Sequence, residues 1–389
     1  MPGTFISTTE VECTSPAVEH PGFVDLRLAF EEDMWSTPLK YLYYDIPKIQ
    51  YIEPACGPET GYTQIEVHGS GFTDLGRNKA MCVFNRTVFT NATIYSDELM
   101  YCDSPALLNV QGYSLLSGDD TNFYNLQVTI DGGHMIAGTP QKFNYYQQVI
   151  VKDVTPNRGP LAGNTEVAIN ATGLKQPGIC GLKVRLGATE YSPEINSLGQ
   201  LVIINQKVDY PGYSAVQVSY NNQQFSGERV VHKKDPRSTF KYYQNPIITY
   251  HSPASGPSVG GTAITIDGYG FKPFDETIDK KTGQPANRLF IRYLDSVTGE
   301  IIATPKRITQ DKYTNYRVHV ESEPQPVGTK ALFQISLNNE DWINVKAPGS
   351  THSFVYYESP HITAIQPSFG PLKSKANKKM TISGTNFVC

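Results

Sequence analysis

The pattern Pro-x-x-Gly-Pro stands four times in this chain, at residues 54–58, 156–160, 253–257 and 367–371. The intervals are 102, 97 and 114 residues. Each is the length of one small β-sandwich, and a fixed period marks a tandem array. An array of this kind places function in repeated surfaces and joints before it places it in any single residue.

The segments downstream of each signature repeat as well. A short strand alternates apolar and polar residues: Thr63–His68, Thr165–Asn170, Thr262–Asp267 and Lys379–Ser383. Period-two alternation buries one face and wets the other. A glycine turn closes it in Gly69-Ser70-Gly71-Phe72, Gly268-Tyr269-Gly270-Phe271 and Gly384-Thr385-Asn386-Phe387. Glycine or Asn suits a bend with positive φ, and the aromatic can return to the core. The copy Ala171-Thr172-Gly173-Leu174 is weaker. Later in each repeat comes an alternating strand, at Val24/Leu26/Leu28/Phe30, Leu126/Val128/Ile130, Val216/Val218/Tyr220 and Phe333/Ile335/Leu337. Polar hairpin residues come next in three copies (Asp131-Gly132-Gly133, Asn221-Asn222, Asn338-Asn339). Each repeat then closes on a tyrosine pair: Tyr43-Tyr44, Tyr145-Tyr146, Tyr242-Tyr243 and Tyr356-Tyr357. Helical periodicity is absent, so the expected fold is all-β with sheets packed face to face.

These motifs, with the C-x-S-P element at Cys102–Pro105 and Cys13–Pro16, resemble the IPT/TIG domain. That is an immunoglobulin-like fold found in plexins, the hepatocyte growth factor receptor, fibrocystin-type proteins and protist surface proteins. The resemblance spans nearly the whole chain, though the third and fourth copies lack C-x-S-P. Filamin repeats are a related alternative that fits the opening signature less well. The resemblance implies tandem immunoglobulin-like (IPT/TIG) β-sandwiches: the C-terminal half of a domain at 1–46, whole domains at 47–147, 148–245 and 246–359, and the N-terminal part of another at 360–389. Links of about ten residues between closing tyrosines and the next signature, with Pro246 and Pro360 at joints, favour a rod in which neighbours share an almost continuous strand. Half-domains at both ends are expected of an internal piece of a longer chain.

Composition narrows the partners. The net charge of −4 provides no basic stripe, so a nucleic-acid role has no electrostatic support. No apolar run reaches the roughly 20 residues that span a bilayer, and the first residues lack signal-peptide character. No cofactor is expected. The partners expected are other protein chains, further copies of itself among them, and N-linked glycans.

Six cysteines are few. By the resemblance, Cys82 and Cys102 pair within one domain, and such a bridge contributes about 3 kcal/mol in the chain-entropy model. The alternative is two buried free thiols. By the same resemblance Cys13 has its partner upstream, or in Cys389 of a neighbouring copy. In that second arrangement the front half at 361–389 pairs with the back half at 1–45 of another chain, giving a composite domain and a head-to-tail polymer. Cys56 and Cys180 have no assigned partner. Sequons stand at Asn85, Asn91 and Asn170; such short motifs also arise by chance and gain weight from an extracellular domain type.

Catalytic patterns are missing. The eight histidines are scattered, and the chain has no G-x-S-x-G elbow, P-loop, H-E-x-x-H or C-x-x-C motif. Glu31–Asp33 and Asp119-Asp120 read as turns, and Asp275–Gly283 lacks the ligand spacing of a calcium loop. The 24 tyrosines serve strand propensity first, and interdomain contacts second. The expectation is a non-enzymatic extracellular or cell-surface structural or adhesive rod, a filament subunit in one version. The alternative is the stalk of a receptor ectodomain, with a cytosolic filamin-like cross-linker third.

Overall fold

The computed structural model describes residues 1–29, 31, 34–110, 123–174, 180–227, 238–274, 287–345, 353–370 and 379–387. Phe30, Glu32, Asp33, Asp119, Asp120, the 275–283 segment, Pro371 and Cys389, which carry some of the sequence expectations, lie outside the described residues. Among the described residues there is no α-helix, only strands and short 3-10 turns such as Leu107–Asn109. Two compact units divide the chain. One comprises Met1–Val149, Gly173–Lys183 and Ser219–Ser226; the other Ile150–Thr172, Val184–Val218 and Gly227–Cys389.

In the first unit, strands Lys48–Glu53, Gln64–Ser70, Leu99–Asp103 and Val88–Ser96 form one antiparallel layer. The long Val88–Ser96 strand also pairs with Met81–Phe84 and so continues into the second layer, which holds Phe123–Thr129 and Ala137–Tyr146. Ile65, Val67 and Met100 from one layer meet Phe84, Leu126, Val128 and Phe143 from the other in a single core. Alternation explains the arrangement: Ile65, Val67 and Gly69 are buried while Gln64 and Ser70 face solvent. Upstream, Gly3–Ser7 pairs with Glu10–Cys13, and Gly22–Leu26 with Leu39–Tyr43.

The second unit repeats the plan twice. Ile150–Thr155, Glu166–Thr172 and Leu201–Ile204 make one layer, and Gly212–Ser219 with Thr239–Tyr243 anchors the other. Further on, Ile247–Ser252, Ala263–Tyr269 and Arg317–Glu321 oppose Leu289–Asp295, Ile301–Ile308, Lys330–Ser336 and Phe354–Tyr357. Ile264, Ile266, Phe271, Ile291, Phe333, Ile335 and Phe354 fill that core. His361–Gln366 and Thr381–Thr385 form a final antiparallel pair.

Two sequence motifs turn out to be one structural element. The signature forms a three-residue strand that pairs in parallel with the closing tyrosines: Gly57↔Tyr145, Gly159↔Tyr242 and Gly256↔Tyr356. Its glycine has a packing reason. A Cβ there would strike the threonine hydroxyl opening the next strand (Thr63, Thr165, Thr262) and the ring of Phe143, Phe240 or Phe354. The prolines opening all four signatures follow cis peptide bonds.

The glycine turn recurs with the same bend in every copy, including the weak one. Its third residue has positive φ at Gly71 (79°), Gly173 (83°), Gly270 (89°) and Asn386 (62°). A β-bulge sits at the same place in each first-strand pairing. The weak copy differs by a matched exchange. A Cβ on Gly69, Gly268 or Gly384 would meet the backbone carbonyl of Lys48, Ile247 or His361 first, and would lie 2.7–2.9 Å from the ring of Phe72, Phe271 or Phe387. Where Ala171 replaces that glycine, Leu174 replaces the phenylalanine. The nearly continuous strand expected at the links is interrupted: three residues separate Tyr146 from Ile150, and three separate Tyr243 from Ile247.

Candidate functional site: signatures covered by asparagine turns

Each tyrosine pair splits its duties, because adjacent strand residues face opposite ways. The first tyrosine turns inward. Tyr145 donates its hydroxyl hydrogen bond to the Pro105 carbonyl (2.8 Å), and Tyr43 does the same to Pro16 (3.0 Å), the equivalent C-x-S-P proline. The second tyrosine meets a segment from the next repeat. Tyr44 donates to Asp131 Oδ2 (2.7 Å), Tyr146 lies 5.1 Å from the Tyr220 ring, and Tyr243 meets Phe274 edge-on at 6.4 Å.

Within the first unit, the turn Ser219–Ser226 lies on the signature at 54–58. Asn221 organises it. Its Oδ1 accepts from the Gln223 and Gln224 amides (3.1 Å each), which shapes the turn. Its Nδ2 donates to the Cys56 carbonyl (3.3 Å) and to Thr63 Oγ1 (3.4 Å). Around it, Gln223 makes a two-way contact with the Gln64 backbone (3.0 and 2.9 Å), and Gln224 Nε2 donates to the Tyr62 carbonyl (2.8 Å). A Cys56–Cys180 disulfide, Cα–Cα 6.3 Å, crosses the same place.

Within the second unit, the turn after Ser336 repeats the scheme on the signature at 156–160. Asn338 Oδ1 accepts from the Glu340 and Asp341 amides (3.0 and 2.9 Å), and Nδ2 donates to the Arg158 carbonyl (3.1 Å). Thr165 Oγ1 donates to Asp341 Oδ2 (2.7 Å) as Thr63 does to Gln224 Oε1 (3.1 Å). Thr63 and Thr165 are wholly buried, so these bonds satisfy groups that would otherwise be costly.

The residue before the signature glycine varies, and its partner varies with it. Cys56 bonds to Cys180. Arg158, 2% exposed, holds its guanidinium 5.5 Å from the Phe274 ring centroid. Lys241 Nζ lies 3.8 Å from the same centroid, and its hydrogen bond to Tyr213 Oη is 2.6 Å. A ring between two buried cations is a cation–π arrangement in low dielectric. Burial, and then the Asp341 charge, push the Tyr243 hydroxyl up. At the third signature no turn is docked among the described residues, and Thr262 Oγ1 has no hydrogen-bond partner.

The equivalent turn in the 123–146 hairpin carries Asp131 in place of Asn. Burial works against its charge, but hydrogen bonds from Tyr44, Met135 and Thr129 outweigh it and hold the carboxyl below its ordinary value. Burial, and then the bond to Asp131, push the Tyr44 hydroxyl up to about 12.

Among the other sequence-predicted residues, Cys82 and Cys102 form a disulfide between the two layers of one core, Cα–Cα 6.2 Å. Cys13 is exposed and unpaired. Asn85 sits at φ 46° in a tight turn, its Oδ1 accepting from the Asn125 amide (2.9 Å). Asn91 and Asn170 face solvent. Asn221, Asn338 and the Arg158–Phe274 contact were not singled out from the sequence as a joint. The shared spacing Ser219-x-Asn221 and Ser336-x-Asn338 was the available signal.

The IPT/TIG domain family model matches residues 47–145 and 246–292. Over those residues the chain carries IPT/TIG domains in tandem. It is 25% identical to mouse plexin-B2 over 239 residues, covering 58% of this chain and 11% of plexin-B2. It is 24% identical to human fibrocystin-L over 283 residues, covering 68% of this chain and 6% of fibrocystin-L. Against the full extracellular region of plexin A4 the identity is 16%, covering 82% of this chain and 25% of that one, with TM-score 0.34. The IPT/TIG chain thus spans a small part of the curated relatives it matches. It is homologous to plexin and fibrocystin-type extracellular proteins, for which an extracellular or cell-surface location is typical. Its fold is Ig-like. Among the described residues no cluster of three His, Cys, Asp or Glu could hold a metal, and no helix is long and apolar enough to cross a membrane.

Proposed function

We propose that this protein is a structural or adhesive glycoprotein of the cell surface, its IPT/TIG domains at 47–147, 148–245 and 246–359 coupled into a rod, with partial domains at 1–46 and 360–389. The observation that carries the reading is the twice-repeated asparagine turn on the preceding signature. Each turn joins consecutive repeats through buried hydrogen bonds, so bending at the joint would leave Thr63 or Thr165 unsatisfied. Such a joint transmits position and force and performs no chemistry. The partners are other protein chains, and the unpartnered Thr262 hydroxyl beside the third signature is where a further repeat's turn would fit. Contact with further copies of the chain, and the head-to-tail filament, belong to this reading. The Cys82–Cys102 bridge and N-linked glycans at Asn85, Asn91 or Asn170 fit the oxidising, secretory route it requires.

A second reading, the stalk of a plexin-like receptor ectodomain, draws on the match to plexin-B2. Surface labelling of intact cells and then electron microscopy of the released native protein tests both. Extended particles in regular filaments support the structural role, and single particles bearing a separate ligand-binding head support the stalk. Protein that escapes surface labelling and stays inside cells overturns both.

A further inference from the structure

We infer that Asn91 carries an N-linked glycan whose first N-acetylglucosamine packs on the ring of Phe89. This rests on the glycoprotein reading. Strand Val88–Ser96 alternates, so Phe89, Asn91, Thr93 and Tyr95 all point to solvent. The sequon's asparagine and threonine therefore share one accessible face. Residues two apart on a strand are about 6.6 Å apart, roughly the reach of one sugar ring laid back from the asparagine amide.

The face is aromatic on both sides of the attachment point. Phe89 is 42% exposed and Tyr95 77% exposed, and Tyr95 meets Tyr101 edge-on at 6.3 Å. The Phe89 ring is backed by the turn at Gly133, where a Cβ would lie 3.5 Å from its edge. That glycine turn, φ +96°, borders one edge of the ring, which stays 42% exposed. A pyranose presents axial C–H groups on one face, and an aromatic ring presents a negative π-face to receive them. Neither rival sequon offers this. Asn85 sits at the hairpin turn with Val83, not an aromatic residue, two before it. Asn170 follows Ala168, not an aromatic residue, on its outward face.

The test uses the full chain secreted from a eukaryotic host and trimmed enzymatically to one N-acetylglucosamine per site. Peptide mapping reports occupancy. Thermal melts then compare trimmed and fully deglycosylated protein, in the parent and in Phe89→Thr, a change that keeps strand propensity. Occupancy at Asn91 with a melting temperature raised by roughly 2–8 °C in the parent, and by much less in Phe89→Thr, supports the inference. Upfield-shifted sugar proton resonances, lost in Phe89→Thr, support it independently if that variant is destabilised. Equal stabilisation in both proteins with unshifted sugar resonances overturns it. So does occupancy confined to Asn85 or Asn170, which leaves the glycoprotein reading standing. An empty sequon at all three positions overturns both.

Discussion

Residue by residue, the repeats are most informative where they disagree. The core position two before the signature proline holds Ile52 and Val154 in the first two sandwiches, but His251 in the third. His251 is buried, meets Phe333 at 5.3 Å, bonds through Nδ1 to the Pro253 carbonyl (3.3 Å), and leaves Nε2 unpartnered. Burial lowers its proton affinity below the ordinary 6.5. The unfolded chain then binds the proton more readily, so stability is lost as pH falls through and below that value. His251→Val is expected to stabilise the protein by about 1 kcal/mol at pH 7 and by more at pH 5. Denaturant melts at the two pH values measure it; equal gains at both would remove the histidine's titration from the account. From the sequence this histidine was one of eight scattered residues. Its burial depends on the register of Ile247–Ser252 against Ala263–Tyr269, which local pattern reveals only once the repeats are aligned.

Among the elements, the signature strand and the bend after the first long strand carry most of the repeat's identity. The bend's Gly and Asn residues were legible as turn formers, and the positive φ at Gly71, Gly173, Gly270 and Asn386 agrees with that reading. Less legible was the first glycine of the bend, where a Cβ would meet a carbonyl of the paired strand and the ring of the phenylalanine that folds back over it. The Ala171–Leu174 copy supplies a double-mutant cycle. Gly268→Ala alone is expected to cost about 1–3 kcal/mol by overpacking against the Ile247 carbonyl and the Phe271 ring. Phe271→Leu alone should cost about 1–2 kcal/mol. Together they should cost less than the sum by at least ~0.5 kcal/mol, read from chemical denaturation. Strict additivity would mean that the paired exchange at 171 and 174 has no packing cause. The tyrosine pairs show the same limit of sequence reading. Strand propensity explains their presence, but only pairing with the signature shows that one ring serves the core and its neighbour serves the joint.

At the scale of the whole molecule, the repeat period announced tandem sandwiches, while the joints needed coordinates because their partners lie over 150 residues apart in sequence. Cys56 and Cys180, unassigned from spacing, are the clearest case, separated by 124 residues. A bridge closing so long a loop is worth up to about 5 kcal/mol in the chain-entropy model. Cys180→Ser should therefore lower the denaturation midpoint of the full chain without changing its circular dichroism, and an unchanged midpoint would count against the bridge. The central claim is that the asparagine turns hold consecutive repeats together. Hydrogen–deuterium exchange of the full chain tests it at peptides 56–64 and 219–226, in the parent and in Asn221→Ala. Protection of both peptides is expected in the parent and a joint loss of protection in the variant, with the Phe84–Phe143 core unaffected. Peptides that exchange freely in the parent, or that keep their protection without the Asn221 amide, would contradict it.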